Sequence, residues 1–477
     1  MANGNLPSYL ASAKPNPMQN RLPWYKNTAQ VYAGIMLWFV FWQQIPLGAG
    51  GDGYSKFAGG TLAQGLGVAF LGLIAAALIC HFLFYLVPGM LGMKTGLPLY
   101  IVGTSTYGAQ GGFLMPGLLM GVLQFGWLAV NGYYAGLLLV MPFLDKAELS
   151  VPHLVVSTVW IILGAFMGVK GIKYVASVAS FLPLIPLAIL IVLLVATIGG
   201  IGNFDNQALV KAGETSTPAA VGVQPALSTF GILALLATYV VGFFATAGAA
   251  GADFGMNNRG AKDVHLGGLV GVALSTVFAG GVALLIVAGA YGSGIVTSGA
   301  IMEPPRLMGN IVGDKTAAVF MYLLAIAAFP PACFSAFIAA NSFKTVLPSV
   351  KPLISCGLGS IVAIGLVIMG LAGKAIVVFS IIGASFGPVC GAMMADYLLS
   401  GCKWNGPRAG FNPAGWISWI LGFAVGAADF IPGLAGQVPC PPVAAFIVGF
   451  ILYALLAKAG LQSKTLQMPA ATAQQAS

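Results

Sequence analysis

The feature of this chain that most restricts its fold is a series of twelve apolar runs, each about as long as a helix that crosses a membrane. About 20 helical residues span the roughly 30 Å of hydrocarbon in a bilayer. The runs, numbered here TM1 to TM12, cover residues 28–47, 62–90, 114–141, 153–170, 174–199, 227–252, 265–292, 316–342, 353–371, 375–399, 414–433 and 440–458. Only 6% of the residues are charged, whereas a soluble chain carries about a quarter. The sequence therefore predicts an all-α, multi-pass membrane protein.

The distribution of positive charge predicts the orientation of the chain. With the N-terminus in the cytoplasm, 14 of the 20 lysine and arginine residues fall in cytoplasmic segments. Both termini are therefore expected in the cytoplasm and the protein in the plasma (inner) membrane. The net charge of +9 then follows from loop topology and does not indicate nucleic-acid binding. Residues 1–27 lack the apolar core of a signal peptide and are expected to form a cytoplasmic tail, and residues 461–477 are expected to be a disordered cytoplasmic tail.

Enzyme chemistry finds no support in the sequence. The six cysteines include no C-x-x-C pair, so neither a zinc site nor a disulfide framework is indicated. No phosphate loop, no nucleophile elbow and no paired carboxylates at bilayer depth occur. We expect neither an enzyme nor a bound cofactor or metal.

Glycines gather in TM6 in an unusual way. The stretch YVVGFFATAGAAGADF, residues 239–254, carries Gly242, Gly248 and Gly251 and ends near Asp253. A membrane helix with glycines at this depth either opens its backbone or packs very closely. TM1 meets a similar interruption and lies five helices earlier. Paired interruptions predict an inverted-repeat transporter in which TM1 and TM6 are discontinuous. The two repeats would cover residues 28–199 and 227–399, and residues 414–458 would form two additional helices.

TM3 carries polar and aromatic residues in the middle of an apolar run. Trp127 offers a π face on which a planar heterocycle can stack, and Asn131 follows one turn later on the same side of the helix. The amide of Asn131 suits either the polar edge of a substrate or a hydrogen bond to another helix. In TM1, Gln43 either contacts substrate or marks the outer boundary of the span.

Three collinear motifs resemble the nucleobase:cation symporter-1 family of cytosine, purine, allantoin and hydantoin permeases. They are TSTYGAQGGFLMPGLLMGVLQFGWLAVNGYYAG (104–136), GFFATAGAAGADFGMNNRGAKDV (242–264) and FGPVCGAMMADYLL (386–399). The resemblance extends over about residues 25–460. It implies a leucine-transporter-like fold of five plus five inverted helices with two peripheral ones, and transport by alternating access.

The resemblance also implies roles for individual residues. Trp127 corresponds to a stacking tryptophan, Phe244 to a second aromatic wall and Thr246, at the expected break of TM6, to a hydroxyl that bonds the ring edge. Phe329 in TM8 joins Asn131 and Gln43 as a candidate substrate contact. Only one of two adjacent phenylalanines can face inward, and the motif favours Phe244 over its neighbour.

TM8 departs from the pattern of the sodium-coupled members of the family that this chain resembles. Those members place hydroxyl side chains in the middle of TM8, where this chain has Pro330 and Pro331 followed by Ala332 and Cys333. Methyl and sulfur groups are poor ligands for a hard cation. Ser335 supplies a hydroxyl only in a shifted register. The prolines, which lack an N–H, are expected to open the helix.

The coupling ion is therefore expected to be a proton, with sodium as the alternative. Besides Ser335 and Cys333, the candidate coupling residues are Asp253 at the inner end of TM6 and His81 within TM2. Each also has a structural interpretation, an ion pair for Asp253 and a packing role for His81.

The sequence thus predicts a secondary transporter that imports a nucleobase or related planar heterocycle together with protons, as a monomer in the lipid bilayer. An amino-acid or other small-solute symporter on the same fold is the alternative, and it would need no aromatic site. A sodium-coupled nucleobase symporter is another.

Overall fold

The computed structural model describes residues 6–144, 146–171, 173, 175, 179–296, 300–347 and 349–468 of the chain, and these are predominantly helical. In this part, nine helices are long and apolar enough to cross a membrane: Leu66–Thr95, Phe113–Val140, Val151–Lys170, Leu184–Asn203, Thr229–Ala249, Ala261–Gly292, Asp314–Lys344, Ala375–Leu399 and Pro441–Lys458. Three shorter apolar helices are Thr28–Leu37, Pro352–Ile368 and Pro413–Gly426. Each of these helices overlaps one of the runs TM1 to TM12.

The helices bury their small residues against one another and expose large apolar side chains outwards. Leu71 of TM2, Val155 of TM4 and Ile361 of TM9 are 56%, 56% and 66% exposed. Apolar surface of this kind on the outside of a helical bundle matches a lipid environment. Inside the bundle, TM10 and TM12 approach closely, since a Cβ at Gly391 would lie 2.2 Å from the carbonyl oxygen of Phe446.

Three connections pack together at one end of the bundle. The TM1–TM2 connection forms a two-stranded antiparallel hairpin, β1 Gly50–Gly51 with β2 Tyr54–Ser55. The backbone N–H of Met302, in the TM7–TM8 connection, donates to Gly53 of this hairpin over 2.8 Å. Phe57 forms a bridge with Gln224 of the TM5–TM6 connection. The helices Asn206–Ser216 and Pro304–Val312 belong to these connections.

The N-terminal segment lies across the opposite end of the bundle. It forms short helical turns at Ser8–Ala11, Met18–Asn20 and Trp24–Lys26. The guanidinium of Arg21 is buried and donates to the carbonyl of Met93, at the end of TM2, over 2.6 Å. This part of the predicted polar tail is therefore packed on the helices.

The prediction of disorder from residue 461 onwards is wrong for residues 461–468. The carbonyl of Lys464 accepts the N–H of Ala409 at 2.8 Å, and the N–H of Leu466 donates to Pro407 at 2.7 Å. These backbone hydrogen bonds attach the segment to the TM10–TM11 connection, an interaction that its polar composition does not reveal. Residues 469–477, the rest of the predicted tail, lie outside the described residues, as do residues 1–5.

Candidate functional site

TM1 is interrupted at Trp38. The helix Thr28–Leu37 ends there, Trp38 adopts an extended conformation (φ −60°, ψ 125°), and a short helix resumes over Phe39–Gln43. An interruption leaves backbone carbonyls without their helical partners. The indole N–H of Trp42 donates to the carbonyl of Leu37 at 3.0 Å, so the interruption is stabilised by a side chain of the same segment.

A tyrosine of TM6 supports the short helix that follows the interruption. The hydroxyl of Tyr239 donates towards the carbonyls of Val40 and Phe41, at 2.9 and 3.0 Å. In the other direction, the hydroxyl of Tyr32 in TM1 donates to the carbonyl of Ala247 in TM6 at 2.7 Å. TM1 and TM6 are thus joined by hydrogen bonds on both sides of Trp38.

TM6 is not broken at Thr246. The helix continues from Thr229 to Ala249, turns at Ala250 and resumes as the short helix Gly251–Gly255. The expected interruption therefore lies four residues beyond Thr246, at the end of the span.

Close packing explains the glycines of TM6. A Cβ at Gly242 would lie 2.6 Å from the carbonyl oxygen of Phe379 in TM10, and one at Gly248 would lie 2.8 Å from Phe84 in TM2. Of the two explanations open from the sequence, an opened backbone or a close approach, the structure supports close approach for both glycines.

Trp127 and Thr246, both predicted site residues, lie side by side. The indole N–H of Trp127 donates to Oγ1 of Thr246 at 3.2 Å, and both side chains are buried. The bond joins TM3 to TM6. It also orients the indole, because a hydrogen-bonded N–H fixes one edge of the ring.

The aromatic neighbour of Trp127 in TM6 is Phe243. Their ring centroids lie 5.2 Å apart with the planes nearly perpendicular. Phe244 points to another side of the helix and packs against Tyr32, with a centroid distance of 5.5 Å. The structure therefore brings Phe243, and not Phe244, into contact with Trp127.

Trp127 belongs to an aromatic cluster that we define as Trp38, Trp127, Phe243 and Phe379, from TM1, TM3, TM6 and TM10. Trp127 lies 6.0 Å from Trp38 and 5.1 Å from Phe379, centroid to centroid. A heterocycle stacked between two rings needs about 7 Å between them, because each aromatic contact takes about 3.5 Å. The rings of the cluster thus touch each other, and a substrate between them would have to separate them.

Sequence reasoning did not select Phe243, Phe379 or Trp38 as site residues. The apolar run of TM10 contains no signal for Phe379. For Trp38 a signal existed, because it precedes the polar end of TM1, where an interruption was expected.

Asn131 joins three helices. Its Nδ2 donates to the carbonyl of Ala328 in TM8 at 2.9 Å, and its Oδ1 accepts the indole N–H of Trp160 in TM4 at 2.9 Å. Phe329, another predicted contact, lies perpendicular to Trp160 with centroids 5.2 Å apart. The structure therefore shows the interhelical hydrogen bond that the sequence left as an alternative, and a substrate contact by Asn131 or Phe329 stays a prediction.

Gln43 and Gln44 end the short helix of TM1 and differ in their surroundings. The Nε2 of Gln43 is buried with no hydrogen-bond acceptor among the described residues. The Nε2 of Gln44 donates to the carboxyl of Glu303 in the TM7–TM8 connection. One glutamine is thus held by the protein, while the other keeps an unused donor.

Glu303 belongs to an ion cluster around Arg306 at the end of the bundle that carries the hairpin. The guanidinium of Arg306 lies 2.8 Å from Asp52, 3.5 Å from Glu148 and 3.0 Å from Glu303. Burial raises the pKa of Glu303 and outweighs the opposing attraction of Arg306. Burial lowers the pKa of Arg306, but the three carboxylates together outweigh burial and raise it. The cluster ties the TM1–TM2, TM3–TM4 and TM7–TM8 connections together.

TM8 stays helical through Pro330 and Pro331, so the prediction that the prolines open it is wrong. The bond from Asn131 holds the carbonyl of Ala328, two residues before Pro330. A Cβ at Gly164 of TM4 would lie 3.1 Å from Cβ of Ala332, so Ala332 faces TM4. The choice between protons and sodium stays a prediction.

The remaining coupling candidates lie in two different helices, TM8 and TM2. Cys333 and Ser335 are both buried in TM8. The buried His81 in TM2 packs against TM7, where a Cβ at Gly268 would lie 2.5 Å from its Nδ1. None of the three makes a described ring contact or hydrogen bond with the aromatic cluster.

Asp253 follows the TM6 span and is partly buried. Its Oδ1 accepts the backbone N–H of Leu99 at 3.2 Å, and burial raises the pKa of its carboxyl to about 6. No ion pair joins it to Arg259 or Lys262 in the described part of the chain.

A cavity of about 570 Å³ opens near Asp253 but away from the aromatic cluster. It lies between the N-terminal segment, residues 12–17, and the start of the TM2–TM3 connection, residues 96–101, with Met256 and Asn257 on a further side.

The comparisons agree with this architecture. The family model described as a permease for cytosine/purines, uracil, thiamine and allantoin matches residues 54–403. The structure of Mhp1 in an inward-facing conformation superposes with a TM-score of 0.66 at 14% identity, covering 100% of this chain and 98% of that one. Mhp1 in a closed conformation with bromovinylhydantoin bound, described as a nucleobase-cation-symport-1 family transporter, gives 0.61 at 15% identity, with 99% of each chain covered. No curated protein matches the sequence.

The fold and the arrangement of TM1, TM3, TM6 and TM8 define a multi-pass membrane transporter on the leucine-transporter-like scaffold, and not an enzyme. The family match covers more than half of the chain. This chain therefore belongs to the family of permeases for cytosine/purines, uracil, thiamine and allantoin.

Proposed function

We propose that this protein is a secondary active transporter that imports a nucleobase or related planar heterocycle by alternating access, coupled to protons. The observation that carries the proposal is the aromatic cluster at the interruption of TM1, with Trp127 held in place by Thr246. Flat aromatic side chains favour flat aromatic ligands by about 0.5–1.5 kcal/mol beyond the burial of surface. The protein works as a monomer. Both termini lie in the cytoplasm, as the distribution of lysine and arginine predicts.

The bound hydantoin of Mhp1 supports a substrate of this class. An amino-acid symporter, the alternative on the same fold, would hold a carboxylate at the end of an interrupted helix. The buried residues around Trp38 are instead aromatic, and none of the cluster carries a positive charge.

The coupling ion is proposed from the chemistry of the candidate groups. Asp253, with a pKa near 6, can take up and release a proton within the physiological range. Sodium is the alternative, with Ser335 as the hydroxyl nearest to the expected register in TM8.

A ligand panel tests the substrate class. Purified protein in detergent is heated with uracil, cytosine, hypoxanthine, adenine, allantoin, hydantoin and thiamine, and with amino acids as the comparison. A ligand that binds only the folded state raises the apparent Tm by mass action. A rise with at least one heterocycle and with no amino acid supports the proposal, and the reverse pattern rejects it.

A further inference from the structure

Trp38 has an unused hydrogen-bond donor at the centre of the candidate site. Its side chain is only 8% exposed, and its indole N–H has no acceptor among the described residues. A buried donor without an acceptor costs free energy, and most buried donors in proteins are paired. The residue also sits at the interruption of TM1, in contact with Trp127 and Phe243.

The neighbouring tryptophans show that the lack of an acceptor is specific to Trp38. The indole N–H groups of Trp127, Trp42 and Trp160 donate to Thr246, to the carbonyl of Leu37 and to Asn131. Each of these donors is used by the protein itself.

A second unused donor lies in the same segment of TM1. The Nε2 of Gln43, with 3% of the residue exposed, also has no described acceptor. An amide side chain can rotate to present its oxygen or its nitrogen, so Gln43 alone does not specify the partner. An indole can only donate. Trp38 therefore decides the chemistry that the site requires of a ligand.

We propose that Trp38 is a specificity-determining residue whose indole N–H donates to a carbonyl oxygen of the substrate, with Gln43 as a second polar contact. This inference rests on the proposed function. It narrows the substrate class to planar heterocycles with ring carbonyls, such as lactams and cyclic ureides. A ring that presents an exocyclic amino group to Trp38 would bring two donors together and leave both unpaired.

The orientation of Trp38 suits this role. Its ring plane is inclined by 58° to that of Trp127, with the centroids 6.0 Å apart. A heterocycle that lies flat on Trp127 would therefore meet Trp38 at an angle and not stack on it, once the rings of the cluster separate to admit it. Stacking and carbonyl recognition are then supplied by different side chains.

The test uses full-length protein and two ligand pairs in which a single ring carbonyl is replaced by an amino group, hypoxanthine with adenine and guanine with 2,6-diaminopurine. Dissociation constants come from competition binding in detergent. We expect the oxo member of each pair to bind at least about tenfold more tightly, as expected when one hydrogen bond is lost and its donor stays buried.

The informative variant is Trp38→Phe, which keeps an aromatic ring and removes the N–H. It should lose about tenfold in affinity for the oxo ligands and much less for the amino ligands. Trp38→His, which retains an N–H, should recover part of the loss. Trp404→Phe is the matched control, because its buried N–H donates to the carbonyl of Val102 in another part of the protein, and the oxo-to-amino preference of this variant should stay within about twofold of the native value.

Two results would overturn the inference. One is an unchanged oxo-to-amino preference in a folded Trp38→Phe variant, and the other is a preference of the native protein for the amino ligands. If no heterocycle binds the native protein, the proposed function fails together with the inference. Binding of heterocycles without an effect of Trp38 rejects the inference alone.

Discussion

The hydroxyl of Tyr239 in TM6 lies 3.0 Å from the carbonyl oxygen of Phe41 in TM1, within the short helix that follows the interruption at Trp38. Tyr32 makes the opposite connection, from TM1 to the carbonyl of Ala247 in TM6. The two helices that inverted-repeat transporters interrupt are therefore held together by two tyrosines, one from each.

Tyr239→Phe should weaken this connection. The carbonyls of Val40 and Phe41 would lose a buried donor, which costs about 1–3 kcal/mol. We expect a lower apparent Tm in detergent and weaker substrate binding, since the short helix would lose its support. Tyr25→Phe is the control, because Tyr25 is 57% exposed. An unchanged Tm for Tyr239→Phe would show that the carbonyls find other partners.

Trp127→Ala should abolish uptake while the protein still inserts and folds. The variant loses both the stacking face and the N–H donated to Thr246. Trp127→Phe should retain part of the binding, because a smaller ring remains. Uptake into cells and binding to purified protein are measured side by side. Native affinity in Trp127→Ala would mean that the indole only packs the helices.

The two adjacent phenylalanines of TM6 should behave differently. Phe243→Ala, which empties the place beside Trp127, should change the dissociation constant at least about tenfold. Phe244→Ala should mainly lower the apparent Tm, because Phe244 is fully buried against Tyr32. The reverse pattern, with a dominant binding defect in Phe244→Ala, would favour the assignment based on family resemblance.

Replacement of sodium by potassium or choline should leave substrate affinity in proteoliposomes unchanged. An ion without a site cannot shift the conformational equilibrium. A pH gradient, acid outside, should drive accumulation instead. A tenfold loss of affinity without sodium would demonstrate a cation site, and Ser335→Ala would then show whether its hydroxyl takes part.

Asp253 should make the stability of this conformation depend on pH. Since its pKa is raised to about 6, the protonated form is favoured here relative to the unfolded chain. Its stabilising contribution is present below the ordinary aspartate pKa of about 3.9 and is lost as the pH rises through about 6. The apparent Tm of the native protein, relative to Asp253→Asn, should therefore fall between pH 4 and pH 7. Parallel profiles of the two proteins would show that Asp253 does not titrate in this range.

The fold could be predicted from the sequence because each membrane-spanning helix has to form its backbone hydrogen bonds within itself. Such helices therefore appear in the sequence as long apolar runs. The same uniform apolar composition does not show which residues line the site. Phe379 occupies one position in an apolar run, and nothing in its neighbours distinguishes it from a lipid-facing residue. The choice between Phe243 and Phe244 depends on the rotation of TM6, which glycine contacts with TM2 and TM10 fix.

Two local expectations failed for the same reason, that packing partners far along the chain decide the outcome. Pro330 and Pro331 remove backbone donors, yet TM8 continues as a helix, with Asn131 of TM3 bound to the carbonyl of Ala328 two residues before Pro330. Residues 461–468 are polar, yet they pair with the backbone of the TM10–TM11 connection. Neither partner lies within reach of a local sequence window.

The contact between the rings of the aromatic cluster affects the step of the transport cycle in which the empty protein returns to its starting conformation. A rigid slot would leave a void in the protein once the substrate had departed, and a void in a packed core costs free energy. Rings that close onto each other, as Trp127 and Phe379 do at 5.1 Å, fill that space themselves. The unloaded transporter can then change conformation without an empty cavity in its core. Separating the rings to admit substrate weakens binding, but the closed rings let the empty protein return faster.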